Sequence, residues 1–121
     1  MAEIRDDRAQ GLLTASEGDQ TAGRIVYFTL DGSGGPDAPD REPSALVAVH
    51  TVVEPGHEGQ GLAGALVREF YALAAREGRW VVPLCPYAAK WAERHPDEAP
   101  AAPTAVVEAA RARLAARPEL W

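Results

Sequence analysis

The sequence predicts an α/β (α+β) chain in which helices pack on a mixed, mostly antiparallel sheet with one parallel strand pair. Three observations lead there. Up to Val53 the apolar segments are short, separated by turn formers, and read as paired strands rather than alternating strand–helix units. A nearly continuous, Val-rich apolar run then leads through a glycine-rich loop into a long segment of helical period and a second short strand. A strand–helix–strand connection of this kind is right-handed and sets its two strands parallel. With 121 residues and 46% hydrophobic side chains, the chain suits one domain with a single core.

Taken in order, residues 1–8 are charged and read as a frayed terminus. Residues 10–16, with Leu12 and Leu13 among small and polar residues, predict a strand. Glu17-Gly18-Asp19 is a turn signal, and residues 21–30, with Ile25, Val26, Tyr27 and Phe28, predict the second strand of a hairpin. Residues 31–43, DGSGGPDAPDREP, are turn formers and charges and read as a long, mobile hairpin loop. Residues 45–53 predict a central strand buried on both faces, because their apolar run barely alternates. A helix is expected from Gly59 or Gln60 to about Glu77. Leu62, Leu66, Phe70 and Leu73 recur at helical spacing, and Gly78 stops it. Residues 79–84 predict the parallel strand. Pro86 suits the first position of a second helix ending near Arg94 or His95, before Pro96. Residues 97–103 form a linker, and residues 104–117 predict a third helix with a modest stripe of Val106, Val107, Ala110 and Leu114.

Composition narrows the function. A net charge of −6 disfavours a nucleic-acid surface, which needs a basic patch. No apolar run is long enough to span a membrane, and the first ten residues lack an apolar signal core. A single cysteine excludes an internal disulfide and predicts a reducing, cytoplasmic setting.

The loop HEGQGLAG, with glycines at 59, 61 and 64, opens the long helix. A helix N-terminus carries unpaired N–H groups and partial positive charge, so small residues at its mouth predict an anion site, most plausibly for phosphate. Residues 59–64 are literally G-x-G-x-x-G. A dinucleotide site would also need an acid at the end of the next strand, where Trp80-Val81-Val82 leads instead into Pro83-Leu84-Cys85. A P-loop is excluded because no Lys-Ser or Lys-Thr follows the glycines.

Val53-x-Pro55 followed by Glu58-x-x-Gly61-x-Ala63 resembles the acyl-CoA pyrophosphate motif of the GNAT superfamily of N-acetyltransferases. His50-Thr51 upstream, with Pro83-Leu84-Cys85-Pro86-Tyr87 and Arg94-His95-Pro96 downstream, makes residues 9–98 similar to a short, single-domain subgroup, the N-acetyltransferase domain-containing protein 1 type. The resemblance implies an acetyltransferase-like domain over residues 1–98 with a helical extension over 99–121. It implies a central parallel splay, where the acyl arm of CoA slots between strands that part. It implies acetyl-CoA as cosubstrate, and an amine acceptor that the sequence does not identify. Backbone groups of Thr51, Val52 and Val53 would pair with pantetheine like an added strand. Glu58, Gly59, Gln60, Gly61, Leu62, Ala63 and Gly64 would line the pyrophosphate. Glu58 departs from the family's usual Arg or Gln, and an acid there repels phosphate unless it points away.

His50 and Cys85 sit near the ends of the two parallel strands and are expected to face one crevice. Cys85 also lies at a helix start, which lowers a thiol pKa, and a neighbouring His would act as base. The resemblance points at both residues. Two routes stay open: direct attack of an amine on the thioester, or prior transfer of the acetyl group to Cys85. The bland reading is a small buried hydrophobe and a satisfied core histidine. Tyr87 is a candidate acid for the leaving thiolate, although the family places its Tyr later, where this chain has Trp91 and Ala92. Trp80 and Trp91 are expected in the core or a cleft wall, His57 in an exposed loop, and His95 as a helix-end cap. No close pair of metal ligands occurs among the three His and Cys85. Alternatives to acyl transfer are a CoA-binding module without turnover and a Cys/His thiol enzyme. The acidic balance favours cationic amines through steering.

Overall fold

The computed structural model describes residues 3–7, 9–30, 45–54, 56 and 61–116. Its five strands are β1 (Glu3–Asp7), β2 (Leu12–Glu17), β3 (Gln20–Leu30), β4 (Ala45–Val53) and β5 (Trp80–Pro83). They lie in the sheet in that same order. The first three pairings are antiparallel and β4–β5 is parallel, as the crossover predicts. The helices are α1 (Leu62–Arg76), which makes the crossover, then α2 (Pro86–Arg94) and α3 (Thr104–Ala116).

β1 corrects the expectation of a frayed terminus. Its residues EIRDD carry no strand pattern, and all but Ile4 are exposed. What holds them is pairing along β2, from Glu3 opposite Ser16 to Asp7 opposite Leu12. The buried Tyr27 adds to this by donating its hydroxyl to the Asp6 carboxylate. Between β1 and β2, Gly11 takes φ 68°, and its carbonyl accepts from the Tyr27 N–H at 2.8 Å. A Cβ there would stand 2.2 Å from the Tyr27 carbonyl oxygen, so only glycine makes this turn. The predicted loop 31–43 lies outside the described residues.

The first half of β4 is buried on both faces, as its apolar run predicts. Leu46 and Ala48 join a core with Ile25, Tyr27 and the α1 residues Leu66, Val67 and Phe70. Ala45 and Val47 turn the other way, into a second cluster with Leu30, Val82 and the α3 residues Val106 and Ala110. The C-terminal helix is therefore docked on the second sheet face. In α1, Leu66 and Phe70 are fully buried, and Tyr27 meets Phe70 edge-on at 5.2 Å. Burying a side chain such as Phe70 contributes about 2 kcal/mol. α1 begins at Leu62, later than expected, because Gly61 takes φ 75° and so cannot belong to the helix; Gly59 and Gln60 lie outside the described residues. It ends at Gly78, with φ 68°, where Arg79 N–H donates to the Ala74 carbonyl at 2.8 Å and Gly78 N–H to Ala75 at 3.1 Å. These two bonds satisfy carbonyls that the last turn leaves unpaired.

Candidate active site

The site grows from the point where β4 and β5 part. Parallel pairing ends at Ala48 opposite Pro83. The Ala48 carbonyl accepts two further N–H groups, from Leu84 at 3.0 Å and Cys85 at 3.1 Å. Beyond it β4 continues to Val53 with no strand paired on that side among the described residues, so a crevice opens between β4 and the start of α2.

A β-bulge in β4 sets what faces this crevice. Tyr27 opposes Ala48 but Val26 opposes His50, which leaves Val49 as an extra residue. Side chains alternate strictly along a strand, so one extra residue turns every later side chain to the other face. Leu46 and Ala48 face α1. After the bulge Thr51, opposite the core residue Ile25, and Val53, packed against the same core, continue that face. His50 lies opposite Val26, on the face of the sheet that also carries Phe28 and Leu30, and it is exposed. Cys85 belongs to the α1 core and is 5% exposed. The structure thus sets His50 and Cys85 on opposite faces, and the residue it brings to Cys85 is Thr51, with Sγ 3.3 Å from Oγ1.

Around the crevice stands the N-terminus of α1. Gly61 is its N-cap, no side chain caps it, and its first turn holds no acid. The N–H groups of Leu62, Ala63 and Gly64 have no intrahelical acceptor. Gly23 on β3 lets this end approach the sheet, since a Cβ there would come within 2.9 Å of the Val52 carbonyl oxygen and 3.2 Å of Leu66. Glycine inside a strand is a sequence signal of such close approach, and Gly23 is a site residue that the sequence reading missed. Glu58, Gly59, Gln60 and His57 lie outside the described residues.

Cys85 is the N-cap of α2 in an extended conformation, and Pro86 takes the first helical position as predicted. Tyr87 is 43% exposed. Its hydroxyl, like the indole nitrogen of Trp91, lies 3.6 Å from where a Cβ on Gly64 would stand, so both reach the first turn of α1. Trp91 is buried in the expected wall. It stacks on Tyr71 at 5.8 Å and His95 at 4.1 Å, with the Arg68 guanidinium 5.7 Å from its ring centre. His95 is the C-cap residue of α2, and its Nδ1 lies 2.8 Å from the Trp91 carbonyl oxygen. Burial pushes the Tyr71 phenol up to about 12. Among the described residues no three His, Cys, Asp or Glu side chains gather as a metal site, and no helix is long and apolar enough to cross a membrane.

The outline is a parallel pair that opens beside a helix start whose N-cap offers no side-chain bond. Residues 13–101 match the family described as GCN5-related N-acetyl-transferase. The chain belongs to this family. Among solved structures, the GCN5-related chain is similar to a ribosomal-protein-alanine N-acetyltransferase from Brucella melitensis biovar Abortus 2308. That likeness has 21% identity and a TM-score of 0.54, and covers 76% of this chain and 62% of the other. An aminoglycoside acetyltransferase from an uncultured soil metagenomic sample aligns at 23% identity and a TM-score of 0.48, over 61% of this chain and 44% of the other. The chain therefore spans 44% and 62% of the length of these two structures. No curated protein matches it.

Proposed function

We propose that this GCN5-related chain moves an acyl group, acetyl in the first instance, from acyl-CoA to an amine. The observation that carries the reading is the parting of β4 and β5 after Ala48 beside the uncapped start of α1. In this reading the first-turn N–H groups, with Gly61, Ala63 and Gly64 leaving room for approach, hold the CoA pyrophosphate, joined by the loop residues Glu58, Gly59 and Gln60. The edge of Thr51, Val52 and Val53, which no described strand pairs, takes the pantetheine arm, and the thioester lies in the crevice. Residues 1–98 form the catalytic unit, and 99–121 its helical extension. A cytoplasmic setting suits the free Cys85 thiol.

The chemistry is direct transfer. The amine nitrogen attacks the thioester carbonyl, backbone N–H groups hold the oxyanion, the C–S bond breaks, and CoA leaves as thiolate. The exposed His50 is the base that takes the amine proton, and Tyr87 is the acid candidate for the thiolate. Cys85 is buried and bonded to Thr51, which disfavours it as a nucleophile and supports the one-step route over an acetyl-cysteine. The second reading is a CoA-binding module without turnover, favoured by the place of the base candidate His50 on the sheet face away from α1 and Thr51.

A melting-temperature titration with acetyl-CoA, and NAD as control, tests the binding half. Ligand at about a hundred times its dissociation constant adds about 2.7 kcal/mol to folding stability. A shift with acetyl-CoA alone is expected, and no shift at millimolar acetyl-CoA would remove the reading. The catalytic half is tested with His50→Ala and Cys85→Ala on an amine panel. His50→Ala should lower kcat by at least about a hundredfold, and Cys85→Ala should retain turnover. A wild-type chain that binds acetyl-CoA but acetylates no amine would leave the module reading.

A further inference from the structure

α2 runs alongside α1 from its first turn. Tyr87 and Trp91 both reach Gly64, and one turn further along α1 the Arg68 guanidinium stands 5.7 Å from the Trp91 ring. A helix turns by about 100° per residue. Measured around α2 from Tyr87, Arg94 points about 20° away and Lys90 about 60° away, on the side opposite the buried Ala88. Both are exposed. The outer rim of the α1–α2 seam therefore carries Lys90 and Arg94, close to the start of α1.

The pair differs from the cations before it. Every arginine described before Lys90 is held by a carboxylate, as Arg68 is by Glu98 at 2.9 Å. The side chains of Lys90 and Arg94 make no ion pair among the described residues, although acids outnumber bases in the chain by 18 to 12. Glu93, on the same helix, is exposed and bonds neither of them. Two like charges one helical turn apart repel each other, and an anion between them removes that repulsion.

The acyl-CoA reading, on which this inference rests, puts the pyrophosphate at the start of α1. CoA carries a third phosphate on its ribose, with close to two negative charges. Lys90 and Arg94 lie about 4.5 and 10 Å beyond Tyr87 along α2, a span that a nucleotide covers once its pyrophosphate is seated. We propose that Lys90 and Arg94 hold the ribose 3′-phosphate of acyl-CoA, and so favour free acyl-CoA over a donor that lacks this group. The pair acts only at close range, within about 8 Å at physiological ionic strength, and leaves the repulsion of the distant field in place.

Isothermal titration of the full chain with acetyl-CoA and with acetyl-3′-dephospho-CoA tests it at fixed salt. Wild type should bind acetyl-CoA about fivefold more tightly, the worth of two exposed charge pairs. The double variant Lys90→Gln, Arg94→Gln should bind both donors equally and keep the wild-type affinity for the dephospho form. The double variant Arg111→Gln, Arg113→Gln removes the same charge from exposed positions of α3 and should keep the preference. Lys90 is also the only lysine in the sequence, so its labelling by an amine-reactive ester, followed by peptide mass, reports on this rim alone. Acetyl-CoA should slow that labelling more than the dephospho form does. Equal affinities in wild type, a preference that survives the α2 substitutions, one lost equally with the α3 substitutions, or equal slowing of the label would each overturn the proposal and leave the acyl-CoA reading standing. A wild-type chain that binds neither donor would overturn both.

Discussion

Gly11 and Gly61 share a left-handed φ of 68° and 75°, but replacing them should have different consequences. A Cβ on Gly61 meets none of the described residues within 4 Å, so Gly61→Ala suffers the conformational penalty, about 1 kcal/mol. A Cβ on Gly11 meets the Tyr27 carbonyl oxygen at 2.2 Å, so Gly11→Ala should lose about 3 kcal/mol or more. Urea unfolding of both variants checks the ranking, and a smaller loss at Gly11 would contradict it. Tyr71 gives a pH prediction. Its folded pKa is raised from 10 to about 12, so above pH 10 the unfolded chain releases a proton that the folded chain keeps. Stability should therefore fall between pH 10 and 12, and Tyr71→Phe should lose less than wild type in that window. Residue identity was legible in the sequence where chemistry alone decides, as with Cys85 at a helix start and Pro86 after it. The partner of Cys85 was not. Counting by twos from Ala48 sends His50 to the side of Cys85, and nothing in AVHTVV marks Val49 as the extra residue.

Elements were legible in proportion to how much of their stability is local. The bounds of β4 match the expected 45–53, because an apolar run announces burial on both faces. β1 was illegible, because a charged strand is held by its neighbour and by one bond from Tyr27 to Asp6. Tyr27→Phe should accordingly loosen β1 first. Its amides should exchange faster by hydrogen exchange while α1 keeps its protection, and uniform loss across the sheet would argue against this. The role of α3 needed tertiary contacts, since its stripe is weak and the sheet face that receives it is not encoded nearby. Ala110, fully buried against that face, should not accept a charge: Ala110→Asp should lose about 2–4 kcal/mol in denaturant unfolding.

For the whole molecule, charge and ligand pull in opposite directions. The chain carries −6, and the CoA ligand of the proposed function is itself an anion. Local helix donors must hold it against a repulsive long-range field. Salt weakens that field first, since the Debye length shrinks to about 8 Å at physiological ionic strength. Acetyl-CoA should therefore associate faster at about 150 mM than at about 10 mM salt, the reverse of a steered encounter. Stopped-flow binding at the two salt levels decides it. The sheet also manages both of its margins, with acidic and basic side chains along β1 and with Pro83 on β5.

Val49 has a consequence that no substitution reproduces. A strand is read in pairs, and an inserted residue acts on it like a shift of reading frame: everything downstream changes sense while every letter stays the same. Deleting Val49 would make the ladder regular and leave His50 opposite Val26 and Thr51 opposite Ile25, each on its present face. A regular pairing that kept all of AVHTVV would instead carry His50 to the helix layer and turn Thr51 outward, so the one extra residue, and no side chain, decides which of them meets Cys85. The chemistry available to this crevice is therefore written in the length of β4 as much as in its composition.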